Sequence, residues 1–406
     1  MQFDVIIVGG GMVGSALAAA LSQGSPTKQN MRIALLEPAP AQADASPVTQ
    51  VNDVDQRVSA INRANQSFLQ DIGAWQHVPA HRLSAYDKMR VWDGIGTGHI
   101  QFDAMELAES HLGHIVENRF IAHGLIQSVR EQNCVNLIEQ GVSSIEQYDE
   151  QLYCVQLESG ELLLSPMIVA ADGARSMVRQ WAEFETREWD YDHHGLVCTV
   201  RTQYSHENCA WQRFTGSGVL AFLPLAEDSE GQSNLCSIVY SCPPQEAEAL
   251  LALDDEAFKQ RLAMDFEQQL GEVIEVGKRN AIPLRQRHSK SYIKKGLVLV
   301  GDAAHTIHPL AGQGVNLGLQ DAKVLAQMML KAHSRGLELH HAHYLARYER
   351  QRMLDNLTMM AAMEGFKRTF TSQQASLTWL RNWGMNKINQ LPAIKHHLMQ
   401  QAMGLK

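Results

Sequence analysis

The feature that most constrains this chain lies in its first forty residues. Phe3 to Val8 is a short run rich in Val and Ile, the composition of a buried parallel strand. Gly9-Gly10-Gly11-Met12-Val13-Gly14 follows and fits G-x-G-x-x-G, and Ser15 to Leu21 continues as a helix of small residues. A second apolar strand, Arg32 to Leu36, ends at Glu37, 23 positions past Gly14. Strand, glycine turn, helix, strand and acid in that order specify a dinucleotide-binding βαβ unit. One glycine makes the tight turn, one lets backbone approach a pyrophosphate, and one lets helix pack on strand. The helix N-terminus offers unpaired N–H groups and a partial positive charge to phosphates. A carboxylate at Glu37 accepts from both ribose hydroxyls and repels a 2′-phosphate, which disfavours NADP here. Val5 to Leu21 carries no charge over 17 residues, but its four glycines and the flank Met1-Gln2-Phe3-Asp4 fit neither a membrane helix nor a signal peptide.

The motif alone does not separate NAD from FAD. Two later segments do. Met167 to Ala171 is an apolar strand ending in Asp172-Gly173, and Gly296 to Val300 is another ending in Gly301-Asp302. Each sets a carboxylate at the C-terminal end of a strand, where ligands of open α/β sheets sit and where it can hold a ribityl or ribose hydroxyl. Either one alone could equally be a turn whose Asp caps a helix.

The length of 406 residues predicts two or three domains. The net charge of −9 argues against a nucleic-acid partner. Six cysteines form no CxxC pair, which argues against zinc, an iron–sulfur cluster or a disulfide framework and points to a reducing, cytoplasmic compartment. His305 and His308, His111 and His114, and His193 and His194 are close in sequence, yet no Glu joins them as in H-E-x-x-H, so no metal is expected.

The trio of GxGxxG, Asp-Gly and Gly-Asp resembles the class A flavoprotein aromatic hydroxylases of the para-hydroxybenzoate hydroxylase fold. The run His308-Pro309-Leu310-Ala311-Gly312-Gln313-Gly314-Val315-Asn316-Leu317-Gly318, followed by Asp321, resembles the signature of the ubiquinone-biosynthesis hydroxylases. Segments 110–118, 189–194 and 221–225 and the ending Gln401 to Leu405 are most similar to the 2-polyprenylphenol hydroxylase branch. The resemblance implies an α/β fold: a Rossmann-like FAD-binding domain, a mixed β-sheet substrate domain and a helical C-terminal tail. The expected boundaries are 1–74, 112–180 and 279–340 for the FAD domain, 75–111 and 181–278 for the substrate domain, and 341–406 for the tail.

For the site, the resemblance implies that Gly9, Gly11 and Gly14 cradle the FAD pyrophosphate and Glu37 binds the adenosine ribose. Arg57 would lie near pyrophosphate and flavin, and Asn118 near the FAD, although Asn118 alone reads equally as the N-cap of a helix starting near Arg119. Asp172 would serve FAD and nicotinamide, and Gly301-Asp302 the ribityl chain. Gly312, Gln313, Gly314, Val315 and Asn316 would open a helix whose N–H groups face the flavin pyrimidine edge, where negative charge gathers on reduction. Pro309 would lie beside the ring, so Pro309, Gly312 and Gln313 are the expected catalytic positions. His193, Phe222, Pro224 and Leu225 are the expected substrate contacts, against a reading of the last three as ordinary sheet core.

The implied reaction is aromatic hydroxylation of a polyprenylated phenol, at C5 of 2-polyprenylphenol, through a C4a-hydroperoxyflavin, with NAD(P)H as transient reductant and O₂ as co-substrate. The alternatives are another ring position of a later ubiquinone precursor, or a non-catalytic FAD-binding subunit. The tail from His341 holds nine basic and three acidic residues, +6 against −15 for the rest, and many Met and aromatic side chains. It is expected either to touch an anionic membrane, keeping the protein at the inner face, or to pack on its own FAD domain or other subunits. A biosynthetic complex and a homo-oligomer are the remaining partner expectations.

Overall fold

The computed structural model describes residues 1–23, 31–306, 313–371 and 375–405. The first strand, Val5–Val8, pairs in parallel with Ile33–Leu36 on one side and Ile168–Ala170 on the other. Val135–Ile138 and Leu297–Leu299 extend this sheet in parallel, and Ile293–Lys294 closes one edge antiparallel. Its strands are buried on both faces, which is why they read as unbroken apolar runs rather than alternating ones. The Ala-rich helix Met12–Ser22 lies against the helix Gln313–Ser334, close enough that a Cβ at Gly318 would sit 2.6 Å from Val13 Cγ2.

A second sheet of nine strands is mixed. Its path runs His305–Thr306, Asn280–Ser289, Thr186–Thr202, Leu235–Cys242, Val219–Pro224, Cys209–Phe214, Lys88–Asp93 and His99–Asp103, with Val273–Val276 joined to the long third strand. Residues 280–289, placed with the FAD part by the sequence reading, pair along Thr186–Val197 and so belong to this larger sheet. A three-stranded sheet, Val58–Asn62, Gly113–Glu117 and Ser84–Tyr86, stands between the two large ones.

The tail does not simply lie on the FAD part. Its helix Ala375–Gln390 covers the edge strand His99–Asp103. Asn382 Oδ1 accepts from Gly98 N, Asn386 Oδ1 from His99 N at 3.1 Å, and Asn389 Oδ1 from Gln101 N at 3.2 Å. These three asparagines share one face of the helix, so the edge finds its hydrogen-bond partners in side chains. Arg381 pairs with Asp93 at 2.7 Å, both buried, and Lys395 pairs with Glu106 at 2.5 Å. Together with Arg352, which pairs with Asp321, three of the basic residues that gave the tail its charge are internal counterions.

Candidate functional site

The glycine turn is built around its own carbonyl. Gly9 adopts a φ of +100° and donates to Leu36 O at 2.9 Å. A Cβ at Gly14 would lie 1.9 Å from Gly9 O, so only glycine fits there. At Gly11 a Cβ would meet nothing within 4 Å, so the N-terminus of helix Met12–Ser22 is open to a ligand, and no side chain caps it. Glu37 is held by the same loop. Its Oε2 accepts from Gly10 N at 2.8 Å and its Oε1 from Ala39 N at 3.1 Å. Each oxygen can accept one donor more.

Gly301 lies against this turn, its would-be Cβ 3.0 Å from Val13 Cγ2, with φ +57°. Its N–H donates to Asp321 Oδ2 at 2.9 Å. Asp321 is fully buried and also accepts from His305 Nε2 at 2.5 Å and from Arg352 Nε at 2.6 Å. Burial pushes its carboxyl up, but the charges and hydrogen bonds of His305 and Arg352 outweigh that and hold it at about 2. The network continues from Arg352 to Asn356, then Tyr292, then His288. Sequence reading noted Asp321 only as the close of the signature. Its role as the post that fixes the Gly301 backbone is visible only in three dimensions.

Asp302, next along, is exposed in a recess. Surrounding protein dehydrates its carboxyl and raises it, with Asp321 adding to the rise and His305 and Arg57 opposing it. Arg57 is exposed, and its guanidinium has no hydrogen bond or ion pair among the described residues. Asn118 N donates to Arg57 O at 2.9 Å, and Ser59 Oγ donates to Asn118 Oδ1 at 2.6 Å. Asn118 is therefore the first residue of the helix Asn118–Arg130, and Glu117 holds the N-cap place. Asp172 Oδ2 accepts from Met177 N and Val178 N, while its buried Oδ1 has no partner among the described residues.

At the start of helix Gln313–Ser334, a Cβ at Gly314 would meet nothing within 4 Å, and Val315 packs on the core. The side chain of Asn316 is not free for a ligand. It is buried, donating to Ala60 O at 2.7 Å and accepting from Asn62 N and Asn65 Nδ2. It fastens the helix to strand Val58–Asn62, so only its backbone remains for the cofactor role expected of it. Pro309 and Gly312 lie outside the described residues, and Gln313 is the first residue of the described helix.

Beyond this fastening is an apolar cavity of about 340 Å³. Ala60 and Asn62 form one end. Its walls come from alternate residues of the larger sheet, such as Ala210, Gln212 and Phe214, and its roof from Met363, Phe370, Met385, Ile388 and Met399 of the tail helices. Such a volume lies within the range of small-molecule sites, about 300–1,000 Å³. The expected substrate contacts are displaced from it. Phe222 faces away and stacks on Phe266, with ring centroids 3.8 Å apart, and Leu223 takes its place in the wall. Pro224 shares the parity of Phe222, and Leu225 packs with Val48, Val51 and the cavity-lining Ala210 and Leu223 without itself lining the cavity. His193 is also absent from the lining: its ring nitrogens each lie 2.8 Å from a backbone carbonyl, Tyr191 O and Ser217 O. Tyr86 and Gln212, neither flagged by the sequence reading, do line the cavity. Among the described residues no group of three or more His, Cys, Asp and Glu could hold a metal ion.

These features fit FAD. The glycine cradle is open, Glu37 has accepting capacity, Arg57 is an uncommitted cation, and the buried Asp172 Oδ1 lacks a donor. The comparisons agree. The family described as "FAD binding domain" matches residues 146–361. The chain is 35% identical over 403 residues to the Escherichia coli 3-demethoxyubiquinol 3-hydroxylase, covering 99% of this chain and 98% of that one. It is 31% identical to the Xenopus tropicalis ubiquinone biosynthesis monooxygenase COQ6, mitochondrial, covering 98% and 92%. Among solved structures it matches p-nitrophenol 4-monooxygenase PnpA from Pseudomonas putida with a TM-score of 0.76 at 19% identity, over 99% of this chain and 98% of that one. It also matches PqsL, a probable FAD-dependent monooxygenase from Pseudomonas aeruginosa, at 0.74 and 20%, over 95% and 100%.

Proposed function

The chain belongs to the FAD-dependent monooxygenase family that includes the ubiquinone-biosynthesis hydroxylases, and on that premise we propose that it hydroxylates C5 of 2-polyprenylphenol. The observation that carries a lipophilic ring substrate is the cavity: apolar, about 340 Å³, and joined to the cofactor side through Ala60 and Asn62. FAD, when bound, takes hydride from NAD(P)H and activates O₂ for transfer of one oxygen atom to the ring. The protein's own residues do the rest. Gly9, Gly11 and Gly14 admit the pyrophosphate, Arg57 offsets its charge, and Glu37 accepts from the adenosine ribose. Asp302 receives the ribityl hydroxyls, with Gly301 fixed beneath it by Asp321. The backbone N–H groups of residues 313–316 offer donors and a positive helix end to charge developing on the ring system. The walls of the cavity exclude water.

A second reading, hydroxylation of a later precursor elsewhere on the ring, is favoured by the activity named for the Escherichia coli relative. One experiment separates the two. Purified FAD-loaded protein is given NADPH, ¹⁸O₂ and either a short-chain 2-prenylphenol or a short-chain demethoxyquinol. Gain of one ¹⁸O atom by the phenol, placed at C5 by NMR, supports the first reading. Incorporation into the demethoxyquinol alone supports the second, and incorporation into neither refutes both.

The tail supports a membrane-facing orientation. No described helix is long and apolar enough to cross a bilayer. Trp379 and Trp383, 66% and 50% exposed, stack with centroids 6.3 Å apart on the outside of the helix whose inner side roofs the cavity. Leu380, Leu391 and Ile394 extend this exposed apolar face, and Leu398 is exposed while also lining the cavity. We read this as a face that rests on lipid, with the isoprenoid chain passing between bilayer and cavity along Leu398.

A further inference from the structure

Resting on the reading of a phenolic ring substrate, we propose that Tyr86 and Gln212 form the polar end of the substrate cavity and bind the ring oxygen, setting which ring substitution is accepted. Apart from Trp211, whose indole N–H donates to His206 O at 3.4 Å, the polar side chains that line the cavity among the described residues are Asn62, Tyr86 and Gln212. Asn62 is committed: its Oδ1 accepts from Asn65 N at 3.0 Å and its Nδ2 donates to Ala402 O at 3.4 Å. Tyr86 and Gln212 make no side-chain hydrogen bond among the described residues. Gln212 is 8% exposed, so its amide keeps little accessible surface, and the residue lines the cavity.

The local structure aims both groups inward. Gln212 lies between Ala210 and Phe214 on the cavity face of its strand, and its cross-strand neighbours are Val91 and Ala221, neither of which can bond an amide. Tyr86 ends strand Ser84–Tyr86 opposite Gly113. A Cβ at Gly113 would lie 3.0 Å from Tyr86 Oη, so the glycine leaves room for the hydroxyl. Burial raises the Tyr86 hydroxyl to about 12, so it stays a donor throughout the working pH range. A donor that does not ionise and an amide that both donates and accepts suit a phenol oxygen, or two neighbouring ring oxygens. The rest of the cavity is apolar and suits the prenyl chain, with methionines on both wall and roof giving an adaptable surface.

The test uses the FAD holoenzyme and two probes: 2-prenylphenol and prenylbenzene, which lacks the hydroxyl. Binding is read from flavin fluorescence and turnover from NADPH oxidation and product. Wild type binds the phenol about 10-fold more tightly, one good hydrogen bond in a buried site. Tyr86→Phe and Gln212→Leu each lower that ratio several-fold by weakening phenol binding, leave prenylbenzene binding unchanged, and raise KM for the phenol more than they lower kcat. Gln212→Met, closer in shape, replaces Gln212→Leu if that variant loses FAD. Wild-type turnover of the phenol with the binding ratio unchanged in both variants overturns this inference and leaves the functional reading intact. Wild type that neither binds nor oxidises the phenol overturns both.

Discussion

Asp321→Asn tests the post beneath the cofactor loop. The wild-type carboxylate accepts from Gly301 N, His305 and Arg352 with no exposure to solvent. Lowering its carboxyl from 3.8 to about 2 corresponds to about 2 kcal/mol of stability, present above the unfolded value and lost as pH falls through the folded one. The Asn variant loses more than this, because buried Arg352 keeps only the half-exposed Asp355 as counterion and an amide N–H₂ is set among donors. Breaking a buried pair from one side costs about 3–5 kcal/mol. At about 2.1 cal/mol/K per residue, a chain of 406 residues has an unfolding entropy of roughly 0.85 kcal/mol/K, so Tm falls by about 4–6 °C. Circular dichroism and release of flavin fluorescence both report it, and FAD affinity falls with it because Gly301 N loses its charged acceptor. Adding Arg352→Met to the Asn variant costs less than the sum of the two single changes. A single variant that melts within about 1 °C of wild type, or a fully additive double variant, refutes the account.

The glycine turn predicts a contrast: Gly14→Ala, forced against Gly9 O, abolishes FAD retention, whereas Gly11→Ala folds normally but binds FAD at least about 10-fold more weakly, read by flavin titration. Desolvation lowers His114, His206 and His288 to about 4, assisted by His111 and Arg63 at His114 and by His305 and Arg187 at His288, and opposed by Leu225 O and Glu227 at His206. Between about pH 4 and the unfolded value of 6.5 the unfolded chain therefore binds more protons, and stability rises with pH across that window. At about 2 kcal/mol per histidine between pH 5 and 7, Tm at pH 5 lies at least about 5 °C below that at pH 7; equal values would show the three rings to be solvated. Trp379→Ser with Trp383→Ser leaves turnover of a short-chain phenol in solution unchanged and abolishes co-sedimentation with anionic phospholipid vesicles, and undiminished sedimentation counts against the lipid-facing assignment.

The FAD side was legible because stereochemistry leaves few choices. A strand buried on both faces must be an apolar run, and a turn that places its carbonyl 1.9 Å from the next Cβ must use glycine. The substrate side was not, for the same physical reason acting in reverse. Val219–Pro224 is buried along almost its whole length, so its sequence has no alternation to show which parity faces the cavity; Phe222 was the residue expected there, and Leu223 is the one that lines it. Gln212 did leave a signal, an uncharged amide within the run Cys209-Ala210-Trp211-Gln212, but nothing local says that it lacks a partner. Asn118 and Asn316 were placed near the cofactor by sequence. The Asn316 side chain is taken up in holding strand Val58–Asn62 to its helix, and Asn118 Oδ1 accepts from Ser59 on the same strand. Of the nine basic residues of the tail, Arg352, Arg381 and Lys395 answer buried or half-buried acids elsewhere in the chain, so a charge count alone overstates how much of that charge is on the surface.

The asparagine face on the edge strand has a consequence for how the molecule is made. His99 N waits for Asn386, 287 positions later, and the Met385 and Ile388 part of the cavity roof arrives with the same helix. During synthesis at about 5–20 residues per second, strand His99–Asp103 and its apolar floor are therefore exposed for tens of seconds, an unpaired edge beside a greasy trough. Nothing earlier in the described chain supplies those three acceptors. The apolar trough left open during synthesis and the cavity of the finished fold are thus one surface at two times, and a nascent chain stalled before residue 375 would carry it open to whatever chaperone or neighbouring strand reached it first.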